Sequence, residues 1–259
     1  MTDLILSRRE GPIATVILNR PDRLNAMSKP MWRRLGEVMR GLSAETDLRC
    51  VIIRGAGGKA FSPGNDIGEF ENVRSTPDQA KAYGEDLYHA LDAVKESPHP
   101  TVALIEGICV GGGLELAALC DLRICGESSR FGVPIKRLGL VMAYPEIEGL
   151  LALVGRAVTL EILLEGRVFS AAEAKEKGLV TRVVPDGEVE AEAIATARRI
   201  ADGAPLVARW HKKFINRLAQ PKPLSAAELD EGYACYATED FQIGYRSFLE
   251  KKAPVFRGC

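Results

Sequence analysis

Glu106-Gly107-Ile108-Cys109-Val110-Gly111-Gly112-Gly113-Leu114-Glu115-Leu116-Ala117 sets three consecutive glycines between an apolar strand and an apolar helix. Glycine lacks a Cβ, so the backbone there can approach a ligand closely. The N–H groups of a first helical turn have no intrahelical partner, and the helix dipole favours negative charge beside them. Glu115 follows Gly112 by three residues, which puts its carboxylate about one turn away on the same side. An anion hole and a proton-transfer group would then be neighbours. The alternative is close helix packing at the glycines with an exposed first-turn glutamate.

Outward from this stretch, strand and helix signals alternate. Residues 13–19 are β-branched and apolar until Arg20-Pro21-Asp22-Arg23 breaks the run. Ser28 caps a helix whose stripe is Met31, Leu35, Val38, Met39 and Leu42. Residues 50–54 (CVIIR) read as a buried strand, Thr76-Pro77 opens a second helix with Ala80, Tyr83, Leu87, Leu91 and Val94 on one face, and that helix stops near Pro98. Further strands are expected at residues 101–105 and 122–125. This alternation predicts an α/β domain with parallel pairing. Ser170-Ala171-Ala172-Glu173 is a capping box for a helix that Gly178 closes, and a strand is expected over 179–184, ended by Pro185-Asp186-Gly187. Beyond it only helices are expected, starting at Val189, Pro205, Ser225 and Thr238. The reading divides the chain into an α/β core, 1–199, and a helical oligomerisation region, 200–259, whose narrow apolar stripes must pack on the body or on another subunit.

Composition removes several function classes. The 34 basic and 35 acidic side chains leave a net charge of −1, so nothing draws the chain to nucleic acid. The run Arg209-Trp210-His211-Lys212-Lys213 reads as the solvated face of an amphipathic helix. Cys50, Cys109, Cys120, Cys125, Cys235 and Cys259 form no C-x-x-C pair, which suits a reducing cytoplasm. Residues 1–7 hold too short an apolar run for a signal peptide or membrane span. His89, His99 and His211 lack metal-ligand spacing, and no G-x-S-x-G elbow is present; His89 is expected on a helix face. Gly55-Ala56-Gly57-Gly58-Lys59-Ala60 imitates a dinucleotide fingerprint, but Phe61-Ser62-Pro63-Gly64 breaks the chain where a helix must begin.

A second motif, Lys59-Ala60-Phe61-Ser62-Pro63-Gly64-Asn65-Asp66-Ile67, follows the 50–54 strand. With the glycine stretch it resembles the enoyl-CoA hydratase/isomerase (crotonase) family, whose pattern reads approximately K-A-F-x-x-G-x-D-[IL] and then G-G-G-x-E-L. The resemblance runs along nearly the whole chain, through Leu18-Asn19-Arg20-Pro21, Asn25-Ala26, Cys120-Asp121-Leu122-Arg123, Phe131-Gly132, Ser170-Ala171-Ala172-Glu173-Ala174, Gly178-Leu179-Val180 and Phe248-Leu249-Glu250-Lys251. It implies a crotonase-like spiral of βα units with a helical C-terminal region, a homo-oligomer (trimer or dimer of trimers), and an acyl-CoA substrate. It implies no metal or redox cofactor, coenzyme A entering as part of the substrate. By position, the backbone N–H groups of Asn65 and Gly112 would form an oxyanion hole for the thioester enolate, and Glu115 would be the catalytic glutamate. Ala60, Ser62, Asp66, Ile67 and Gly111 belong to the substrate-binding segments. Phe248 and Lys251 match CoA-binding positions, and Arg23 lies where a basic residue meets the CoA phosphates.

The match fails at one place. Family hydratases carry a second glutamate after the F-G-x-P segment, whereas here Phe131-Gly132-Val133-Pro134 is followed by Ile135, which can neither give nor take a proton. Tyr144-Pro145-Glu146-Ile147-Glu148 lies downstream, and Glu146, Glu148 or Tyr144 could take over the missing role; the alternative is that these residues simply open the next helix. The expected activity is enoyl-CoA hydratase/isomerase. Another enolate reaction, such as decarboxylation, and a non-catalytic acyl-CoA-binding protein are the alternatives.

Overall fold

Residues Ile5–Glu10 (β1) and Ile13–Leu18 (β2) pair antiparallel across Gly11, whose φ of +57° suits the tight turn. They form one edge of a six-stranded sheet in the computed structural model of the chain, which describes residues 3–259; Met1 and Thr2 of the N-terminal stretch lie outside the described residues. The sheet continues through Cys50–Gly55 (β3), Thr101–Ile105, Leu122–Gly126 and Arg182–Val184, all parallel to β2. β1 escaped the sequence reading because only Ile5 of its residues is buried; as an edge strand it carries charged Arg8, Arg9 and Glu10 where an apolar alternation was sought.

Both faces of the inner strands are covered, which is why they read as continuous apolar runs. Val51, Ile53, Ala103 and Ile105 meet the helices Lys29–Ser43 (α1) and Pro77–Lys95, from which Trp32, Leu35, Met39, Leu87 and Leu91 enter the larger core. The alternate residues Cys50, Ile52, Val102, Leu104 and Ile124 pack on the helix Val189–Ala201.

A second, four-stranded sheet is assembled from three-residue strands: Ala60–Ser62 (β4), Ile108–Val110, Arg130–Gly132 and Val168–Ser170. In chain order the strands are therefore β5 (Thr101–Ile105), β6 (Ile108–Val110), β7 (Leu122–Gly126), β8 (Arg130–Gly132), β9 (Val168–Ser170) and β10 (Arg182–Val184). β3 with β4, β5 with β6, and β7 with β8 each give one strand to each sheet, so successive turns of chain stack as a spiral. Segments of three residues carry no periodicity, and the sequence reading passed over the whole second sheet. The remaining helices are α2 (Phe70–Val73), α3 (Pro77–Lys95), α4 (Gly112–Leu119), α5 (Tyr144–Glu165, interrupted at Gly155), α6 (Ala171–Glu176), α7 (Val189–Ala201), α8 (Pro205–Leu218), α9 (Ala226–Glu231) and α10 (Glu239–Leu249). The expected strand over 179–184 shrinks to β10, because Leu179 and Val180 are buried in the loop that follows Gly178.

Two expectations about side chains change. Ser170 caps α6 through the Glu173 N–H, but Glu173 turns to Arg167 instead of closing the box; Ser225 and Glu228 do form a reciprocal box at α9. The basic run of α8 is a solvated face only in part: His211 and Lys213 are exposed, but Arg209 and Lys212 turn to the body. Arg209 donates to the carbonyls of Thr46 and Leu48, and Lys212 reaches His99 O and Asp121 Oδ2 at 3.1 and 2.8 Å, so these cations moor the helix to the body. His89 does sit exposed on α3. The turn after β3 runs into β4 and not a helix, which disposes of the dinucleotide reading. Among the described residues no helix is long and apolar enough to cross a membrane.

Arg123 of β7 is buried and donates to four main-chain carbonyls, those of Leu179, Ala117, Cys120 and Asp121, thereby tying the C-terminus of α4 to the loop before β10. Arg123→Met removes the guanidinium from all four carbonyls, of which Ala117 O keeps the Cys120 N–H. We expect urea denaturation to register a stability loss of about 3 kcal/mol.

Candidate active site

β4, β6 and β8 are adjacent and parallel, so their C-terminal ends open on one side of the small sheet. β4 leads into Pro63-Gly64-Asn65-Asp66-Ile67, β6 into Gly111-Gly112-Gly113, and β8 into Val133-Pro134-Ile135. The three loops meet at a cavity of about 440 Å³, a volume ordinary for small-molecule sites. Asn65, Asp66, Ile67, Gly111, Gly112, Glu115, Ile135 and Glu146 all line it.

Glycines bring the first two loops into contact. A Cβ on Gly64, whose φ is +94°, would sit 2.6 Å from Gly112 N, and one on Gly113 would sit 2.2 Å from Ser62 O. The place where a Gly112 Cβ would be is 3.6 Å from Asn65 N. The Asn65 and Gly112 nitrogens are therefore no more than about 6 Å apart. Among the described residues neither amide donates to a protein acceptor, whereas their neighbours are occupied: Gly64 N bonds Ser62 Oγ, Asp66 N bonds Met27 O and Gly111 N bonds Gly132 O. Ser62 Oγ in turn donates to Asn25 O, so the buried serine braces the loop from below.

Glu115 stands in the first turn of α4, only 6% exposed, and its Oε2 has no hydrogen-bond partner. Burial, and next the Glu146 charge, push its pKa up to about 8. Glu146 is equally buried, at the third position of α5. Burial raises its pKa too, but the Ala143 N–H donates to Oε2 and the Arg74 guanidinium stands 3.8 Å from Oε1, both favouring the anion. Burial therefore raises both carboxyls, and the contacts made by Glu146 favour its anion over that of Glu115. Glu146 thus occupies a cap position at its helix and a place in the cavity at once. Tyr144 is 93% exposed outside the cavity lining, and Glu148 pairs with Lys95 Nζ at 2.8 Å.

Asp66 lines the cavity yet is committed elsewhere: against its partial burial, Arg20 at 2.7 Å and the Gly68 N–H hold its carboxyl below the usual range. Ala60 is buried in β4 beneath the loop. Arg23, Phe248 and Lys251 are exposed and none of them lines the cavity; Phe248 is 82% exposed. Arg74 was missed from sequence. Its guanidinium lies over the rings of Phe70 and Tyr83, 5.2 and 4.9 Å from their centroids, and only the Phe70-to-Arg74 spacing of four could have hinted at it.

Known proteins of like sequence and fold match nearly the whole chain. A family model described as enoyl-CoA hydratase/isomerase matches residues 8–259. A probable enoyl-CoA hydratase of Mycobacterium tuberculosis is 34% identical over 257 residues, covering 98% of this chain and 98% of that protein. The crystal structure of an enoyl-CoA hydratase/carnithine racemase from Magnetospirillum magneticum superposes with a TM-score of 0.98 at 52% identity, over 100% of this chain and 97% of that one. That of an enoyl-CoA hydratase from Bacillus anthracis gives 0.91 at 30% identity, over 99% of this chain and 100% of that one. By sequence pattern, strand order and likeness to these structures, this chain belongs to the enoyl-CoA hydratase/isomerase family.

Proposed function

We propose that the protein hydrates 2-enoyl-CoA thioesters, with the Asn65 and Gly112 amides bonding the thioester oxygen as the enolate forms. Fixed donors in a dry site answer charge that develops there, and losing one typically costs about 3 kcal/mol of barrier. Glu146, the ionised member of the pair, takes a proton from water as that water's oxygen bonds to C3. The π electrons move onto the thioester oxygen, and Glu115 then gives its proton to C2. One proton is taken up and one released, and no cofactor is needed beyond the CoA that the substrate carries. The observation that carries this reading is the second buried glutamate, Glu146, lining the cavity that Glu115 lines.

One observation favours a second reading. Glu146 is tied to its own helix by the Ala143 N–H, whereas Glu115 Oε2 has no partner, as befits a single group that, once ionised, moves a proton during double-bond isomerisation. Purified protein assayed with 2-enoyl-CoA and 3-enoyl-CoA separates the two. Glu146→Gln is expected to abolish hydration, by a factor on the order of 100, and to spare isomerisation if the second reading holds. No turnover of either thioester by the unaltered protein sinks both readings.

The hydration reading fixes the pH dependence of kcat/KM. On the acid side the rate falls as Glu146 takes up a proton and ceases to be a base. On the alkaline side it falls as pH rises through about 8, where Glu115 loses the proton it must donate. The expected profile is a bell whose alkaline limb disappears in Glu115→Gln, measured on whatever activity that variant retains.

The helical region after residue 200 supports self-association: Leu229, Tyr233, Tyr236, Phe248 and Leu249 are all more than half exposed. We read it as the oligomerisation region of a homotrimer or dimer of trimers, with Phe248 and Lys251 meeting CoA across the interface and Arg23 meeting the CoA phosphates.

A further inference from the structure

Two buried aromatic residues converge on the Asn65 side chain. The Trp32 indole Nε1–H donates to Asn65 Oδ1 at 2.7 Å, and the Tyr83 hydroxyl lies 3.2 Å from the same oxygen. Both rings are fully buried, Trp32 in α1 and Tyr83 in α3. Indole nitrogen is a donor only, so the carboxamide atom facing it must be the oxygen, and the amide has a single allowed orientation. Tyr83 also stands 3.3 Å from Met27 O and, with one proton, serves one acceptor at a time.

With its oxygen turned inward, Asn65 must present its NH2 group elsewhere. Asn65 lines the cavity, and among the described residues no protein acceptor bonds Nδ2. Nor is Nδ2 among the sealed, unpartnered polar atoms of the interior, which are His99 Nδ1, Glu115 Oε2 and Arg209 Nε. It is therefore accessible, on a residue that lines the cavity. Trp32 touches the other side of the site as well: its Cζ2 lies 3.2 Å from where a Gly112 Cβ would sit. One indole thus abuts both residues whose main-chain amides form the proposed oxyanion hole.

We infer that Trp32 and Tyr83 lock the Asn65 carboxamide so that its NH2 group becomes a third donor to the thioester carbonyl oxygen, beside the Asn65 and Gly112 amides. The inference rests on the oxyanion reading above. The thioester carbonyl is the acceptor because it is the oxygen near the reacting carbons that every acyl-CoA brings. Asn65 is then a substrate-touching residue through its side chain as well as its backbone, while Trp32 and Tyr83 are positioning residues that act through it.

Isotope-edited infrared spectroscopy of bound butyryl-CoA, labelled with ¹³C at the thioester carbonyl, reads the polarisation directly. In the unaltered protein the carbonyl stretch should fall below its value in water. Asn65→Ala keeps the backbone donor and should recover part of that shift, with kcat lowered about tenfold and KM within about twofold. Tyr83→Phe and Trp32→Phe should move the band in the same direction by less, and adding either to Asn65→Ala should produce no further change. Tyr83→Phe loses only an oxygen, so it tests the lock even if Trp32→Phe folds poorly. A shifted band in the unaltered protein that Asn65→Ala leaves in place, with kcat unchanged, overturns the inference and leaves the main-chain hole intact. An unshifted band in the unaltered protein overturns the hole and the inference together.

Discussion

Glu115→Gln is expected to cut kcat by a factor on the order of 100 or more while leaving KM for the same thioester within about threefold. Glutamine keeps the volume and the neutrality that Glu115 has while it holds its proton, so the cavity and its apolar wall are undisturbed. What it cannot do is release that proton. The substitution also removes the buried charge that Glu115 would acquire above about pH 8, so the folded state should lose nothing. Steady-state kinetics with a matched thermal unfolding curve separates the two effects. A variant as active as the parent removes Glu115 from the chemistry, and a variant with raised KM and full kcat makes it a binding group only.

Gly64→Ala should act through distance instead of charge. The new methyl would lie 2.6 Å from Gly112 N at a φ of +94°, so both the local backbone and the approach of the two loops must yield. A displacement of about 1 Å at a catalytic donor is enough for a loss near 100-fold, and we expect kcat/KM to fall by that order. The left-handed backbone alone should cost about 1 kcal/mol of stability. If the variant unfolds at the parental temperature and retains full activity, then the spacing of the Asn65 and Gly112 amides is not what the reaction uses.

What the chain revealed before its fold was known follows a physical division. The glycines at 111–113 and Glu115 were legible because an amide approached by another backbone cannot tolerate a Cβ, and that requirement is written locally. Glu146 was legible only as one of three candidates. Its acid is favoured by a helix start whether or not a cavity lies there, and only the third turn of the spiral, which brings α5 beside α4, distinguishes the two. Trp32 and Tyr83 were hidden altogether or counted as core stripe residues, since a helix stripe looks the same whether its polar atoms meet a ligand-bearing loop or a plain carbonyl. The short strands of the second sheet were illegible for a different reason: their pairing partners lie scores of residues away, and three residues are too few to show a period.

The three strand ends that open on the cavity come from three successive turns of chain. In the proposed reaction carbonyl activation falls to the first two, through Asn65 and Gly112, while Ile135 hangs from the third and Glu146, the proposed proton acceptor, from the helix after it. On that reading, thioester recognition and reaction outcome sit on separate segments of the chain. Grafting a different third-turn segment onto this scaffold should redirect an unchanged, already polarised ester toward another product, so that novelty costs one loop and not a new protein.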